Sequence, residues 1–141
     1  MKTLKQLENA RYSAERRAND WYYKYETELE WLCVRDGKGN MVSLKSFYSH
    51  LPFTADLIES HHATVYEEDM DADKDGVYKV CTRRAVKRLR HIEQKINEWE
   101  EKMRCLDYLI DMVYDDGTPC VYCENEYKEL VGDLAALGIS I

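Results

Sequence analysis

The chain has 141 residues, enough for one domain with a buried core, and its 33% charged and 45% hydrophobic content is that of a folded globular protein. A net charge of −7 argues against general affinity for nucleic acid or anionic membrane, both of which need surplus Lys and Arg. No apolar run approaches the ~20 residues of a membrane span, and Met1 leads into polar residues rather than a secretory signal; the expectation is a cytoplasmic chain with no membrane partner.

Residues 3–34 open the chain as an amphipathic helix. Leu4, Leu7, Ala14, Ala18, Trp21, Tyr25, Leu29 and Leu32 share one stripe, and Thr3 with Gln6 forms a capping box. The end of this helix is ambiguous. Trp31-Leu32-Cys33-Val34 precedes the turn sequence Asp36-Gly37-Lys38-Gly39-Asn40, so residues 29–46 read either as helix end plus loop or as a β-hairpin.

Residues 36–81 form an insert of mixed character. Leu44, Phe47, Tyr48 and Leu51 predict a short helix ending before Pro52. Ala55, Leu57, Ile58 and Val65 predict another after Thr54, and Val77–Val80 a short strand.

Residues 82–115 carry the strongest periodicity. Ala85, Leu89, Ile92, Ile96, Trp99, Met103, Leu106, Ile110 and Val113 recur at steps of three and four, a heptad seam that Thr82 can cap and that Gly117 and Pro119 close. A last amphipathic helix over residues 124–137 has Tyr127, Leu130, Val131, Leu134 and Leu137 on one face.

Charge sets the expected pairing of the two long helices. Residues 2–17 hold five cations against two carboxylates, and residues 20–30 one against four. Residues 83–95 hold six cations against one carboxylate, and residues 98–116 two against seven. Both helices thus run from basic to acidic, and opposite charges meet only if the helices pair antiparallel, inside one chain or across a homodimer. Each exposed pair contributes only ~0.2–1 kcal/mol, so charge selects the orientation rather than supplying stability. The expected fold is mainly α: a long antiparallel helical hairpin, coiled-coil-like, with the small mixed α/β insert at one tip and a short C-terminal helix, all in a single domain of residues 1–141.

Four groups of residues invite a chemical reading. The first is Asp71-Ala72-Asp73-Lys74-Asp75-Gly76, which matches the opening of an EF-hand calcium loop. It then fails, because Lys79 stands at the ninth position and Thr82 at the twelfth, where the bidentate Glu belongs. An exposed acidic turn is expected instead, with no bound metal and no cofactor. The second is Cys120-Val121-Tyr122-Cys123, a CxxC that could supply half a zinc site or a thiol-exchange pair. A zinc site would need two further ligands, and thiol exchange is expected at a helix start in a βαβ setting. The five cysteines (33, 81, 105, 120 and 123) are otherwise expected as reduced thiols. Third, Arg83, Arg84, Lys87, Arg88 and Arg90 form a basic run that could meet phosphates, or could pair internally with the acidic segment and with Glu26, Glu28 and Glu30. Fourth, His61-His62 and His91 read as surface residues.

Glycine-rich phosphate loops, HExxH and Gly-x-Ser-x-Gly are absent, so catalysis is not expected. The expected activity is non-catalytic binding of a protein partner with a basic surface, as a small acidic accessory or inhibitor protein of the phage type would bind. The expected contact residues are Glu67, Glu68, Asp69, Asp71, Asp73 and Asp75, with Tyr48, Tyr66 and Tyr78. Nucleic-acid association through the basic run, and a zinc- or thiol-dependent role for Cys120 and Cys123, are the alternatives.

Overall fold

The computed structural model describes residues 1–48 and 53–141, and these are mostly helical with one small antiparallel sheet. Residue contacts divide them into two compact units, residues 1–20 with 95–141, and residues 21–94. Helices α1 (Leu4–Trp31) and α4 (Thr82–Ile110) contribute residues to both units. No helix among the described residues is long and apolar enough to cross a membrane.

In the first unit α1 starts as its sequence dictates. The Thr3 N–H donates to Gln6 Oε1 at 2.9 Å and the Gln6 N–H to Thr3 Oγ1 at 3.3 Å, which satisfies two otherwise orphaned donors. The core gathers Leu7 and Ala14 of α1, Cys105, Leu106 and Leu109 of α4, and Leu134 of α5 (Glu124–Ala136). Trp99, Ile110, Tyr127, Leu130 and Val131 pack around it, so the C-terminal helix lays its predicted apolar face on this core. Helix α4 ends at Ile110 rather than near residue 115. The chain then folds into a turn in which the Tyr114 N–H donates to the Thr118 carbonyl at 2.9 Å, and the Asp115 carbonyl accepts the Leu4 N–H at 3.1 Å. Gly138, at φ +90°, closes α5 after Ala136.

The second unit contains the sheet, whose strands lie in the order β2 (Met41–Ser43), β1 (Cys33–Arg35), β3 (Tyr66–Glu68) and β4 (Tyr78–Val80). Helix α1 stops at Trp31, short of residue 34, and the chain continues as β1 (Cys33–Arg35). Asp36 holds the following turn, with one side-chain oxygen accepting the N–H groups of Lys38 and Asn40, each at 2.9 Å. Strand β2 (Met41–Ser43) then pairs Val42 with Val34, which decides for the β-hairpin reading. Ser43 caps the short α2 (Leu44–Phe47) by accepting the Ser46 N–H. The helix end expected at Leu51 and Pro52 lies outside the described residues. After α3 (Thr54–Ser60) come β3 (Tyr66–Glu68) and β4 (Tyr78–Val80), an antiparallel pair with Glu67 opposite Lys79.

Thr82 does not cap α4. It is the first helical residue, and its hydroxyl accepts the Val65 N–H at 2.9 Å, tying the start of β3 to the start of α4. Tyr25, Leu29, Val34, Leu44, Ile58, Val65, Ala85 and Leu89 are among the buried residues of this unit.

Candidate functional site

The acidic segment is built on the β3–β4 hairpin. An EF-hand loop joins two helices, whereas this loop joins two strands. The Asp69 N–H donates to the Val77 carbonyl at 2.7 Å and the Asp69 side chain accepts the Asp71 N–H at 3.1 Å. Gly76 turns the chain back at φ +80°. Lys79 places its Nζ 3.7 Å from Glu67 and 4.0 Å from Asp69, so the residue that spoils the calcium pattern neutralises carboxylates of the same hairpin. Among the described residues no group of three or more His, Cys, Asp or Glu is placed to hold a metal ion.

The six predicted acidic contact residues therefore fall into two sets. Glu67 pairs with Arg84 and Lys79, Asp69 with Lys79, and Glu68 accepts the Gly76 N–H at 3.5 Å. Asp71, Asp73 and Asp75 are exposed and, among the described residues, make no ion pair. The three tyrosines also separate. Tyr48 is buried at 7% exposure with its hydroxyl 3.5 Å from His61 Nδ1, so it belongs to the core rather than to a contact surface. Tyr66 is half-buried beneath the Arg35 guanidinium, 5.3 Å from the ring centroid. Only Tyr78 is exposed.

Most of the basic run is used internally. Arg84 pairs with Glu67, and Arg88 Nε with Glu28 at 2.7 Å. Arg90 grips both oxygens of Glu59 at 2.6 Å and reaches Asp56 at 3.1 Å. Those bonds raise the Arg90 pKa and hold the Glu59 carboxyl below its ordinary range. Arg83 and Lys87 are exposed and, among the described residues, outside any ion pair. His91, expected as a solvated residue, is exposed but sets its ring edge-on to Trp21 at 5.8 Å.

Beside the hairpin lies a groove of about 320 Å³ whose walls include Glu28, Trp31, Glu67, Met70, Arg84 and Arg88. Trp31 is 63% exposed and Met70 79%. The ion pairs Arg84–Glu67 and Arg88–Glu28 rim it, so an apolar floor is framed by charges that already neutralise one another. Sequence patterning misses both apolar residues. Trp31 falls in the stretch that reads either as helix end or as strand, and Met70 stands inside a run of acids. Strand β4, paired with β3, is an edge strand of the sheet among the described residues, and all three of its residues are exposed.

Cys120 and Cys123 lie in the other unit and are both partly exposed. No protein-family model, curated protein or solved structure matches the chain.

Proposed function

We propose that this chain is a non-catalytic binding protein of the cytoplasm that presents the β3–β4 hairpin to a protein partner with a basic surface, as a small acidic accessory or inhibitor protein would. The observation that carries this reading is the edge strand β4, uncovered among the described residues, where Val80 is 64% and Tyr78 39% exposed next to a loop carrying Met70 at 79%. Natural sheets guard a free edge with charge, and Lys79 does so at only one of three positions. The remaining apolar side chains are the kind that interfaces bury, with Met and Tyr enriched in interface cores. Asp71, Asp73 and Asp75 add charge that steers a basic partner toward the same place.

Contact through the basic run has less support. A phosphate would compete with existing ion pairs at Arg84, Arg88 and Arg90, so that of the run only Arg83 and Lys87 stand outside ion pairs among the described residues, against a net charge of −7.

We also infer that α1 and α4 pair antiparallel in each unit, in a coiled-coil-like manner. Support comes from contacts in which the residue number falls on α4 as it rises on α1. In the first unit Leu4 meets Asp115, just beyond α4, and Arg11 meets Asp107. In the second, Tyr25 meets Glu93 and Glu28 meets Arg88.

The test is photocrosslinking of the full chain in extracts of its native host. A photoreactive residue at Met70 or Val80 is expected to capture the same protein, and one at Tyr12, which is 61% exposed on the other unit, is not. Capture of that protein from Tyr12 alone would overturn the proposal.

A further inference from the structure

The Cys120–Cys123 segment belongs to the first unit, whereas the hairpin proposed for binding belongs to the second. Beyond α4, Val113 and Pro119 form an isolated antiparallel bridge, and the Cys120 N–H donates to the Met112 carbonyl at 2.8 Å. The first cysteine is thereby fixed to the chain leaving α4. The Cys123 N–H donates back to the Cys120 carbonyl at 3.0 Å, closing a four-residue turn. Val121–Cys123 is a single 3-10 turn, and α5 begins at Glu124 with Cys123 in its N-cap position. The CxxC therefore opens a helix of 13 residues, a setting in which thiol exchange is found.

This turn fits ring closure. The first and last Cα atoms of a hydrogen-bonded four-residue turn lie within ~7 Å, and a disulfide spans about 4.4–6.8 Å between Cα atoms. Both thiols are partly exposed, and between them Val121 at 79% and Tyr122 at 95% exposure point to solvent, so a small reagent reaches the sulfurs. Cys81 and Cys105 are buried by contrast, and Cys105 directs its thiol to Glu101 Oε1 at 3.7 Å.

We propose that Cys120 and Cys123 form a reversible dithiol–disulfide site that exchanges with low-molecular-weight disulfides. The Cys120 side chain first, then desolvation and the negative charges of Cys120 and Glu126, push the Cys123 pKa up to about 11. In the proposed order Cys120 attacks and Cys123 resolves. The Cys120 thiolate, its proton released to solvent, displaces one thiolate from the small disulfide and forms a mixed disulfide. Cys123 then loses its proton, attacks Cys120 Sγ and expels the second small thiolate. Two protein thiols give up two electrons and two protons, and the small disulfide leaves as two thiols.

The experiment exposes the reduced full chain to oxidised glutathione under native conditions, quenches with an alkylating agent and maps peptides by mass spectrometry. The expected product links Cys120 to Cys123 with no retained glutathione, reverts with dithiothreitol, and leaves Cys81 and Cys105 to be alkylated only on unfolding. Cys123→Ser, checked for unchanged helical circular dichroism, removes the resolving thiol. It is expected to hold glutathione on Cys120 at about ten times the wild-type level or more. A wild-type protein that accumulates the mixed disulfide as much as Cys123→Ser, or forms no 120–123 link, would overturn the proposal.

Discussion

Glu93 sits half-buried in the second unit, accepting the Tyr25 hydroxyl at 3.0 Å and the Ala55 N–H at 3.4 Å through one oxygen. Burial is the largest influence on its carboxyl and pushes the pKa above the ordinary value, against the lowering effect of those two bonds. The folded state then binds a proton more tightly than the unfolded state. This contribution to stability is complete below the unfolded pKa and is lost as pH rises through the folded one. Exposed Glu59 and Asp116 are shifted the opposite way, so the comparison with a variant isolates the effect. Glu93→Gln is expected to remove this fall in stability on going from pH 4 to pH 7, read as a change in urea midpoint that is more positive than in the parent. A second residue-scale case is Gly117, at φ +89° with the Lys2 carbonyl where a methyl would stand. Gly117→Ala meets both strain and a backbone clash, and is expected to cost on the order of 1–3 kcal/mol or more in urea denaturation. An unchanged midpoint would mean that this turn does not hold the closed form described.

Among the elements, the start of β3 is tied to the start of α4 by a hydroxyl as well as by the bond from the Cys81 N–H to the Val65 carbonyl at 2.8 Å. Val65 is fully buried and its N–H has Thr82 Oγ1 as partner. Thr82→Val leaves that donor unmatched and is expected to destabilise by about 1–3 kcal/mol, whereas Thr82→Ser, which keeps the acceptor, stays close to the parent. The same junction explains what the sequence could and could not disclose. Periodicity located α1, α4 and α5 because their apolar residues repeat over many turns, and Leu7, Leu89, Leu106 and Leu134 are all buried as that pattern requires. Strand β3 is hidden because Tyr66-Glu67-Glu68 has neither alternation nor an apolar run; its carboxylates are accommodated by Lys79 and Arg84, contacts set by tertiary structure. Thr82 looks like a cap for the same reason: local spacing cannot reveal that a residue 17 positions away claims its oxygen. The site was legible in part. The aspartates of the loop and Tyr78 could be picked out by composition, but Tyr48 could not be told from an exposed tyrosine. Trp31 and Met70 come to line one groove only through the fold.

Across the whole molecule, the charges that look like two rival binding sites in the sequence largely cancel. Arg84, Arg88 and Arg90 are matched by Glu67, Glu28, Glu59 and Asp56, which leaves Asp71, Asp73 and Asp75 of the loop, and Arg83 with Lys87, outside any ion pair among the described residues. Arg83 and Lys87 are thus a cleaner control surface than the paired arginines, because changing them breaks no ion pair among the described residues. The decisive measurement is the association rate of the full chain with the protein captured from Met70, followed over a range of salt concentrations. Replacing Asp71, Asp73 and Asp75 together by Asn is expected to slow association more than it speeds dissociation and to flatten the salt dependence, while Arg83→Glu with Lys87→Glu leaves binding intact. If the glutamate pair abolishes binding and the asparagine triple leaves the rate and its salt dependence untouched, the partner does not meet the β3–β4 hairpin.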